Sequence, residues 1–293
     1  MENICEKNYG IGLILMNQSI NIFVLNWNGR DLTMDCLKSL EQVNYSAHKV
    51  YVIDNGSTDD SVSAIQKEFP QVEIIELDQN LGYAGGNNAG FKKATQSDYS
   101  IFLNNDTTVD PDFIAPLIQP MAQNEGIMQT TPKIYYADDP NRIWFAGGSV
   151  NLLPGVIHHR GIRKKDSGQF DLNTEIDYAT GCCFCMRSKD FEGLGMFDES
   201  FLMYGEDVDL SLRLRKNGGV IQYIPKSMIW HKVSASMGGG YSITKWRKKF
   251  IGKMKLITKF TNLFMRPIAI IVASVFGFLE LVVTILFMII RKN

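Results

Sequence analysis

The residues best suited to chemistry in this chain are carboxylates, amides and a histidine set at the ends of apolar runs. Glu206 and Asp207 follow Gly205 directly and open a segment with apolar residues at i, i+4 spacing, Val208 with Leu212 and Leu210 with Leu214. Arg213, Arg215 and Lys216 load its last turn and Gly218-Gly219 ends it, so the spacing predicts a short helix. Both acids then stand at the helix N-terminus, where free N–H groups and the dipole favour negative charge. An ionised carboxylate there can take a proton from a hydroxyl, the task of a general base; it can also do no more than cap the helix. Asp106 follows the apolar run Tyr99 to Leu103 and the pair Asn104-Asn105. A carboxylate in that place can hold a divalent cation against a diphosphate, or cap the turn before Pro111. His231, after Ile229-Trp230, is either a ligand or a strand-end residue.

These groups need a scaffold, and the apolar pattern predicts one. Ile20 to Leu25 reads as a buried strand ending in Asn26-Trp27-Asn28-Gly29. A helix from Leu32 to Leu40 leads to a strand from Lys49 to Ile53, which stops at Asp54-Asn55-Gly56-Ser57. A helix from Ser61 to Phe69, a strand from Val72 to Leu77 and a glycine-rich stretch from Asn80 to Gly90 follow, the last leading into another helix. This alternation predicts an α/β fold with a mainly parallel sheet and helices on both faces. Ligands of such sheets lie beyond the carboxyl ends of the strands, where every polar cluster just named falls. Gly82 to Gly90 fails the dinucleotide G-x-G-x-x-G spacing. Its glycines would let a phosphate or ribose approach, with Asn87 and Asn88 as amide partners, or would only make a strand-to-helix turn. The second half is less regular: a helix from Asp112 to Gln123 carrying Pro116 and Pro120, strands in Ile127 to Tyr136 and Ile143 to Val150, a loop or hairpin over the site from Leu152 to Asp177, a strand within Tyr178 to Arg187, and Val220 to Ile224 leading to His231.

The 293 residues allow one large domain or two modest ones, and 45% hydrophobic content is enough for a sizeable core. A net charge of -1 argues against nucleic acid as a partner. The basic balance is local: seven Lys or Arg residues and no acid lie between Lys245 and Lys259, just before the apolar run Ile268 to Ile290. That run reaches the roughly 20 residues needed to cross a bilayer, with Glu280 as the costly exception. Trp246, Phe250, Met254, Ile257 and Phe264 share one helical side, as in an interfacial helix, and flanking basic charge favours a cytoplasmic catalytic domain at the cell membrane. Of the five cysteines, Cys182, Cys183 and Cys185 cluster without a second zinc-type pair and read as a half-buried strand in a reducing compartment. The expected organisation is an N-terminal extension over 1–19, a catalytic domain over 20–240, a basic amphipathic segment over 241–265 and a hydrophobic membrane helix over 266–293.

Six stretches in order carry a resemblance: VLNWNG (24–29), VIDNGSTD (52–59), NLGYAGGNN (80–88), FLNNDT (102–107), GMFDESFLMYGEDVDLSLRLRKNGG (195–219) and IWH (229–231). Together they resemble the family-2 inverting glycosyltransferases of the GT-A fold, and among them the bacterial rhamnosyltransferase-like enzymes. The resemblance implies that Asp54 contacts the nucleotide base with Asn26 lining the same pocket, and that Asn80, Gly82 and Asn88 border the ribose and diphosphate. It implies that Asp106, beside Asn105, holds a divalent metal (Mg2+ or Mn2+) with His231, and that Asp207 is the catalytic base with Glu206 positioning it or the acceptor. The implied partners are a nucleotide-diphosphate sugar such as dTDP-rhamnose and a lipid-linked saccharide acceptor in cell-wall or surface polysaccharide synthesis. One departure stands out: the family's paired metal acids are reduced to Asn104-Asn105-Asp106. The competing readings are a nucleotidyltransferase making the activated sugar, and a membrane-bound sugar-binding or scaffolding subunit without turnover.

Overall fold

The computed structural model describes residues 18–201, 203–233 and 242–290. All but the last two residues of the expected N-terminal extension lie outside this range, Cys5 included. The first half alternates as its apolar runs dictate: β1 (Ile20–Asn26), α1 (Arg30–Leu40), β2 (His48–Asp54), α2 (Ser61–Glu68), β3 (Glu73–Glu76), α3 (Gly82–Lys93) and β4 (Tyr99–Asn104). These strands run parallel in the order β3-β2-β1-β4. Next in the chain come β5 (Thr107–Val109), α4 (Ile114–Gln123), β6 (Ile127–Tyr136), β7 (Ile143–Phe145), β8 (Gly148–Asn151), β9 (Val156–His159), β10 (Thr174–Glu175), β11 (Cys183–Arg187), α5 (Ser188–Gly193), α6 (Glu206–Lys216) and β12 (Val220–His231). β11 joins the sheet antiparallel between β4 and β6, and β12 lies parallel to β6 beyond it. The result is the mixed, mainly parallel sheet that the alternation predicts.

Three details of this fold position the site. β5 turns back from the end of β4 and pairs with the end of β12, setting Thr107 opposite His231. β8 and β9 form a separate hairpin outside the main sheet, of which β9 lies within the segment Leu152 to Asp177 read as a loop or hairpin over the site. The glycine-rich stretch is itself the start of α3, and its glycines serve helix–sheet packing. A Cβ at Gly90 would stand 2.1 Å from Ile53 Cδ1, and one at Gly86 would stand 2.6 Å from Leu25 Cδ1. At the sheet centre Phe23, Phe102 and Phe184 stack across β1, β4 and β11 with centroids 5.3 and 5.1 Å apart. The cysteine-rich strand β11 is fully buried here, more deeply than its small residues suggest, and its thiols are unpaired. Burial pushes the Cys182, Cys183 and Cys185 thiols up, which leaves them inert.

Residues 241–265, expected as a basic amphipathic segment, contain α7 (Ile243–Phe260), which packs on the rest of the chain. Leu256 is wholly buried in the main core, and Lys259 reaches Asp198 at 2.7 Å and Asp209 of α6 at 2.6 Å. The aromatic side of α7 faces α8 (Arg266–Ile290), with Trp246 Nε1 donating to Gly277 O at 2.9 Å. Glu280, the acid in the apolar run, meets Lys253 of α7 at 3.2 Å. The opposite face of α8 exposes Ile271, Val275, Phe278, Leu279 and Leu286. Over Arg266–Met288 its mean hydropathy is 2.6, so by length and composition it can cross a bilayer.

α7 comes close to the backbone of the domain at Gly252, where a Cβ would lie 2.2 Å from the Tyr204 carbonyl oxygen. A backbone atom cannot step aside cheaply, so Gly252→Ala should cost about 1–3 kcal/mol, the usual penalty of overpacking. Gly193→Ala adds a methyl with nothing within 4 Å and should be neutral or slightly stabilising. Denaturant midpoints of the two variants check the contrast, and equal midpoints would show that α7 does not seat on Tyr204.

Candidate active site

The carboxyl ends of β1 and β2 carry a closed set of hydrogen bonds. Asn26 Nδ2 donates to Asp54 Oδ1 and to Ser61 Oγ, both at 2.9 Å. Thr33 Oγ1 donates to Asn26 Oδ1 at 2.9 Å, and Asn105 Nδ2 donates to Thr33 Oγ1 at 3.0 Å. Asn26, Asp54 and Asn105 are thus brought together, and Asp54 is further fixed by the Ser57 N–H at 3.0 Å. Gly29 lies close beside them: a Cβ there would stand 2.6 Å from Asn105 Nδ2 and displace that amide. Asn80 accepts from Asn55 Nδ2 at 3.0 Å and from the Gly82 N–H at 2.8 Å at the rim of the same crevice. Asn88 is placed differently. Its amide donates to Phe197 O and Glu199 Oε1, both at 2.9 Å, and accepts from the Phe197 N–H at 3.1 Å. With its donors and acceptor occupied and its side chain buried, it ties α3 to the segment before α6 and does not face the crevice.

Across β5 and β12 the chain brings Asp106 and His231 together, with Oδ1 and Nε2 3.1 Å apart. Asp106 Oδ1 is buried and has no hydrogen-bond donor, and His231 Nδ1 is likewise unpartnered. A carboxylate oxygen and an imidazole nitrogen this close together suit a divalent ion of the Mn2+ type. No group of three or more His, Cys, Asp or Glu stands ready for a metal among the described residues. An ion there would take its remaining ligands from water and a substrate diphosphate, as hard cations commonly do. The fit is therefore to a shared metal and not to a closed protein cage.

Glu206 and Asp207 open α6 as the spacing predicts, and the entry is strained. Tyr204 has φ +70° and Gly205 φ +108°, two successive left-handed residues, the first without the freedom of glycine. Asp207 is half-buried; its Oδ2 accepts the Gly181 N–H at 2.9 Å and its Oδ1 the Val208 N–H at 2.8 Å. Glu206 is buried and its Oε2 has no partner. Burial, and then the charge of Asp207, push the Glu206 carboxyl up to about 8. Burial raises Asp207 as well, but the N–H groups of Gly181 and Val208 oppose that rise. Asp207 is accordingly the member that ionises first, with the proton retained on Glu206. This division gives one carboxylate base and one neutral acid side by side.

Several neighbours of these groups carried no distinct signal in the sequence. Trp144 stands edge-on to both His231 and His159, at 4.6 and 4.7 Å between centroids. Burial, and then the charge of Lys249, hold the His159 imidazole down at about 4. Tyr178, whose buried hydroxyl is unpartnered, packs 6.0 Å from His159. Tyr83 donates to Gly181 O at 2.6 Å and so braces the residue that holds Asp207. The adjacent pair His158-His159 inside a segment read as a cover was the one available hint; Tyr178 and Trp144 look like core residues in any linear reading.

Taken together, polar residues at the carboxyl edge of a mixed, mainly parallel sheet, a carboxylate–imidazole pair and an acid pair on a helix N-terminus are the arrangement of a GT-A fold. Solved structures agree on the fold. The chain aligns over 81% of its length with GalNAc-T7 bound to UDP, GalNAc and Mn2+ (TM-score 0.63, 17% identity), spanning 48% of that longer chain. It aligns over 88% of its length with a Pyrobaculum calidifontis mannosyltransferase in complex with GDP-Man and Mn2+ (TM-score 0.60, 14% identity, 74% of that chain). Residues 21–195 match glycosyl transferase family 2, and the chain belongs to that family: it is a glycosyltransferase. Within the family it is similar to the rhamnosyltransferase-like branch. It is 27% identical to the N-acetylglucosaminyl-diphospho-decaprenol L-rhamnosyltransferase of Mycobacterium tuberculosis over 69% of this chain and 72% of that one. It is 28% identical to the O-antigen biosynthesis protein RfbC of Myxococcus xanthus over 67% of this chain and 16% of that one.

The raised Glu206 carboxyl has a consequence for stability. The folded protein holds a proton that the unfolded chain releases above the ordinary value of 4.5. Its stabilising contribution is full below that value and is lost as pH rises through about 8. Glu206→Gln keeps the neutral shape without the titration. The wild-type denaturant midpoint should therefore fall relative to the variant's across this window, and parallel profiles would place the proton elsewhere.

Proposed function

We propose that the protein is an inverting, divalent-metal-dependent glycosyltransferase that moves a sugar from a nucleoside diphosphate, dTDP-rhamnose or a close analogue, to a lipid-linked saccharide at the cytoplasmic face of a membrane. The observation that carries the reading is the placement of Asp207: an ionisable carboxylate held by two backbone N–H groups, beside a neutral acid, at the strand-end edge that also bears Asn26, Asp54, Asp106 and His231. The donor class and acceptor class are supported by the Mycobacterium tuberculosis relative, whose name specifies a lipid-diphosphate acceptor and rhamnosyl transfer. Basic α7 beside the apolar α8 supports the cytoplasmic sidedness.

The chemistry follows from the charges. Asp207 accepts the proton of the acceptor hydroxyl as its oxygen bonds to the anomeric carbon, while the bond from that carbon to the diphosphate oxygen breaks on the opposite side. One direct displacement inverts the anomeric centre and leaves a nucleoside diphosphate. Asp54 holds the nucleotide, with Asn26 fixing its carboxylate beneath the same pocket, and Asn80 and Gly82 border the ribose and diphosphate. Glu206, neutral near pH 7, donates a hydrogen bond that orients the acceptor or Asp207. Asp106 and His231 would hold the metal, which supplies positive charge against the departing diphosphate.

Asp207→Asn should keep the fold and donor binding and lower transfer by roughly 10²–10⁴-fold, the range for loss of a general base. A variant with near wild-type transfer would remove the base from this role. Asp106→Ala should lose activity at any added Mn2+ or Mg2+ while keeping the fold. Full wild-type activity in a chelator would refute the metal. Thermal-shift screening of nucleotide sugars identifies the donor, since a ligand bound to the folded state raises its midpoint; dTDP-rhamnose is expected to give the largest rise.

A further inference from the structure

α8 has no polar face of its own. Ser274 and Thr284 return their hydroxyls to carbonyls of the same helix, and Glu280 is taken up by Lys253. What α8 covers is a stripe at i, i+4 spacing, Ala269, Ala273 and Gly277, and the stripe lies against α7. Ala269 and Ala273 share a buried cluster with Ile257, and a Cβ at Gly277 would stand 2.4 Å from Phe250 Cε2. α7 turns Lys249, Lys255 and Lys259 the other way, onto Tyr204, Phe201 and Asp198. Only as a pair do the two helices have a basic side and an apolar side, the pattern of an element that lies in a membrane interface.

The same contacts limit how far α8 can leave the domain. A Cβ at Gly155, the tip of the β8–β9 hairpin, would stand 2.9 Å from both Ala273 Cβ and Lys253 Cδ. Lys253 follows Gly252, the residue seated on the Tyr204 carbonyl, and it holds Glu280 at 3.2 Å. α8 is therefore flanked by protein as far as Glu280, about 21 Å along its axis. Residues 281–290 add about 15 Å, half of the roughly 30 Å hydrocarbon core. An upright span would draw Lys253 and the hairpin tip into that core, where charge and a two-stranded hairpin with open edges are not tolerated. It would also carry Arg291 and Lys292 across, against the bias that retains basic residues on the cytoplasmic side. Beside α8 the protein offers further apolar side chains to a surface. Leu153 and Val156 flank Gly155 and are exposed, and at the α7–α8 turn Leu263 is exposed and Phe264 is 89% exposed.

We infer that α8 lies in the plane of one leaflet, with Leu153, Val156, Leu263 and Phe264 inserted beside it, so that the chain docks on a lipid surface without crossing it. The inference rests on the membrane reading proposed above and decides the mode of attachment. Lipid is the occupant because the helix pair sets cations for anionic headgroups next to side chains suited to hydrocarbon. The hairpin that meets lipid at its tip carries His159 at its other end, against Trp144, which also packs on His231. An acceptor anchored in that leaflet reaches the site along the hairpin.

The test uses the full chain with Cys5→Ser, the other cysteines being buried, and single reporter cysteines. Lys92→Cys reports the exposed surface of α3, and Asn293→Cys reports the residues beyond α8. In membranes of a bacterial host, an impermeant maleimide should label both reporters in inside-out vesicles and neither in intact spheroplasts. Labelling on opposite sides overturns the inference and makes α8 a span. Depth is read with a bimane on Phe278→Cys or Leu153→Cys in vesicles of phosphatidylcholine and phosphatidylglycerol. Both should lose more fluorescence to lipids brominated near the headgroup than to lipids brominated near the chain ends. Quenching of Phe278→Cys from the chain ends, with none at Leu153→Cys, overturns the inference. No quenching at either position, with the protein eluting as a dimer, overturns it by assigning the apolar face to a second copy. Both reporters labelled only in spheroplasts would support in-plane docking and overturn the cytoplasmic sidedness proposed above. A protein absent from the membrane fraction overturns the membrane reading and the inference with it.

Discussion

Two carboxylates removed from water at one helix N-terminus set the terms for the rest of this molecule. Neighbouring acids cannot both be charged there without large cost, so the surroundings must choose between them. They do so with backbone: the Gly181 and Val208 N–H groups serve Asp207 alone, while Glu206 keeps an unpartnered oxygen in a buried place. The choice depends on the position of Gly181, and that residue is braced by Tyr83 from α3. It depends equally on the left-handed turn at Tyr204 and Gly205, which aims α6 at the sheet edge.

A strained turn persists only where its surroundings hold it. Here the hold comes from the C-terminal helix pair. α7 closes to the backbone of Tyr204 through Gly252, places Lys255 over Phe201 and ties Lys259 to Asp209. Asp209 is fully buried and would be costly alone, but Arg213 at 2.8 Å and Lys259 share its charge. The helix that touches this turn also packs against the apolar α8. The apolar helix and the geometry of the acid pair are thus mechanically continuous, which suits an enzyme whose acceptor is proposed to be anchored in a bilayer.

Much of the candidate site's placement could be read from the chain because polar residues that end parallel strands share one edge of the sheet. Asn26, Asp54 and Asp106 each follow an apolar run, so their shared edge follows from the alternation of strands and helices. Glu206 and Asp207 are announced by the helical spacing after Gly205. Asn88 shows the limit of that logic. It lies in the same polar stretch as Asn80, yet a helix turns it inward, where an amide with no water must find protein partners, and it finds Phe197 and Glu199. The glycines around it look suited to a phosphate and serve instead to bring α3 against Ile53 and Leu25.

Local pattern determined the elements themselves, the parallel half of the sheet, the carboxylate helix and an apolar helix long enough for a membrane, since each depends on periodicity within a short window. Tertiary structure alone decided that Asp106 meets His231, because that contact is made when β5 turns back onto β12, 125 residues further on in the chain. It alone decided that Glu280 is paired and that the aromatic side of α7 faces α8, since a helical wheel shows which residues share a face but not what the face meets. And it alone distinguished Glu206 from Asp207: two adjacent acids are equivalent as letters, and only burial and the aim of two backbone N–H groups favour the charge on one and the proton on the other.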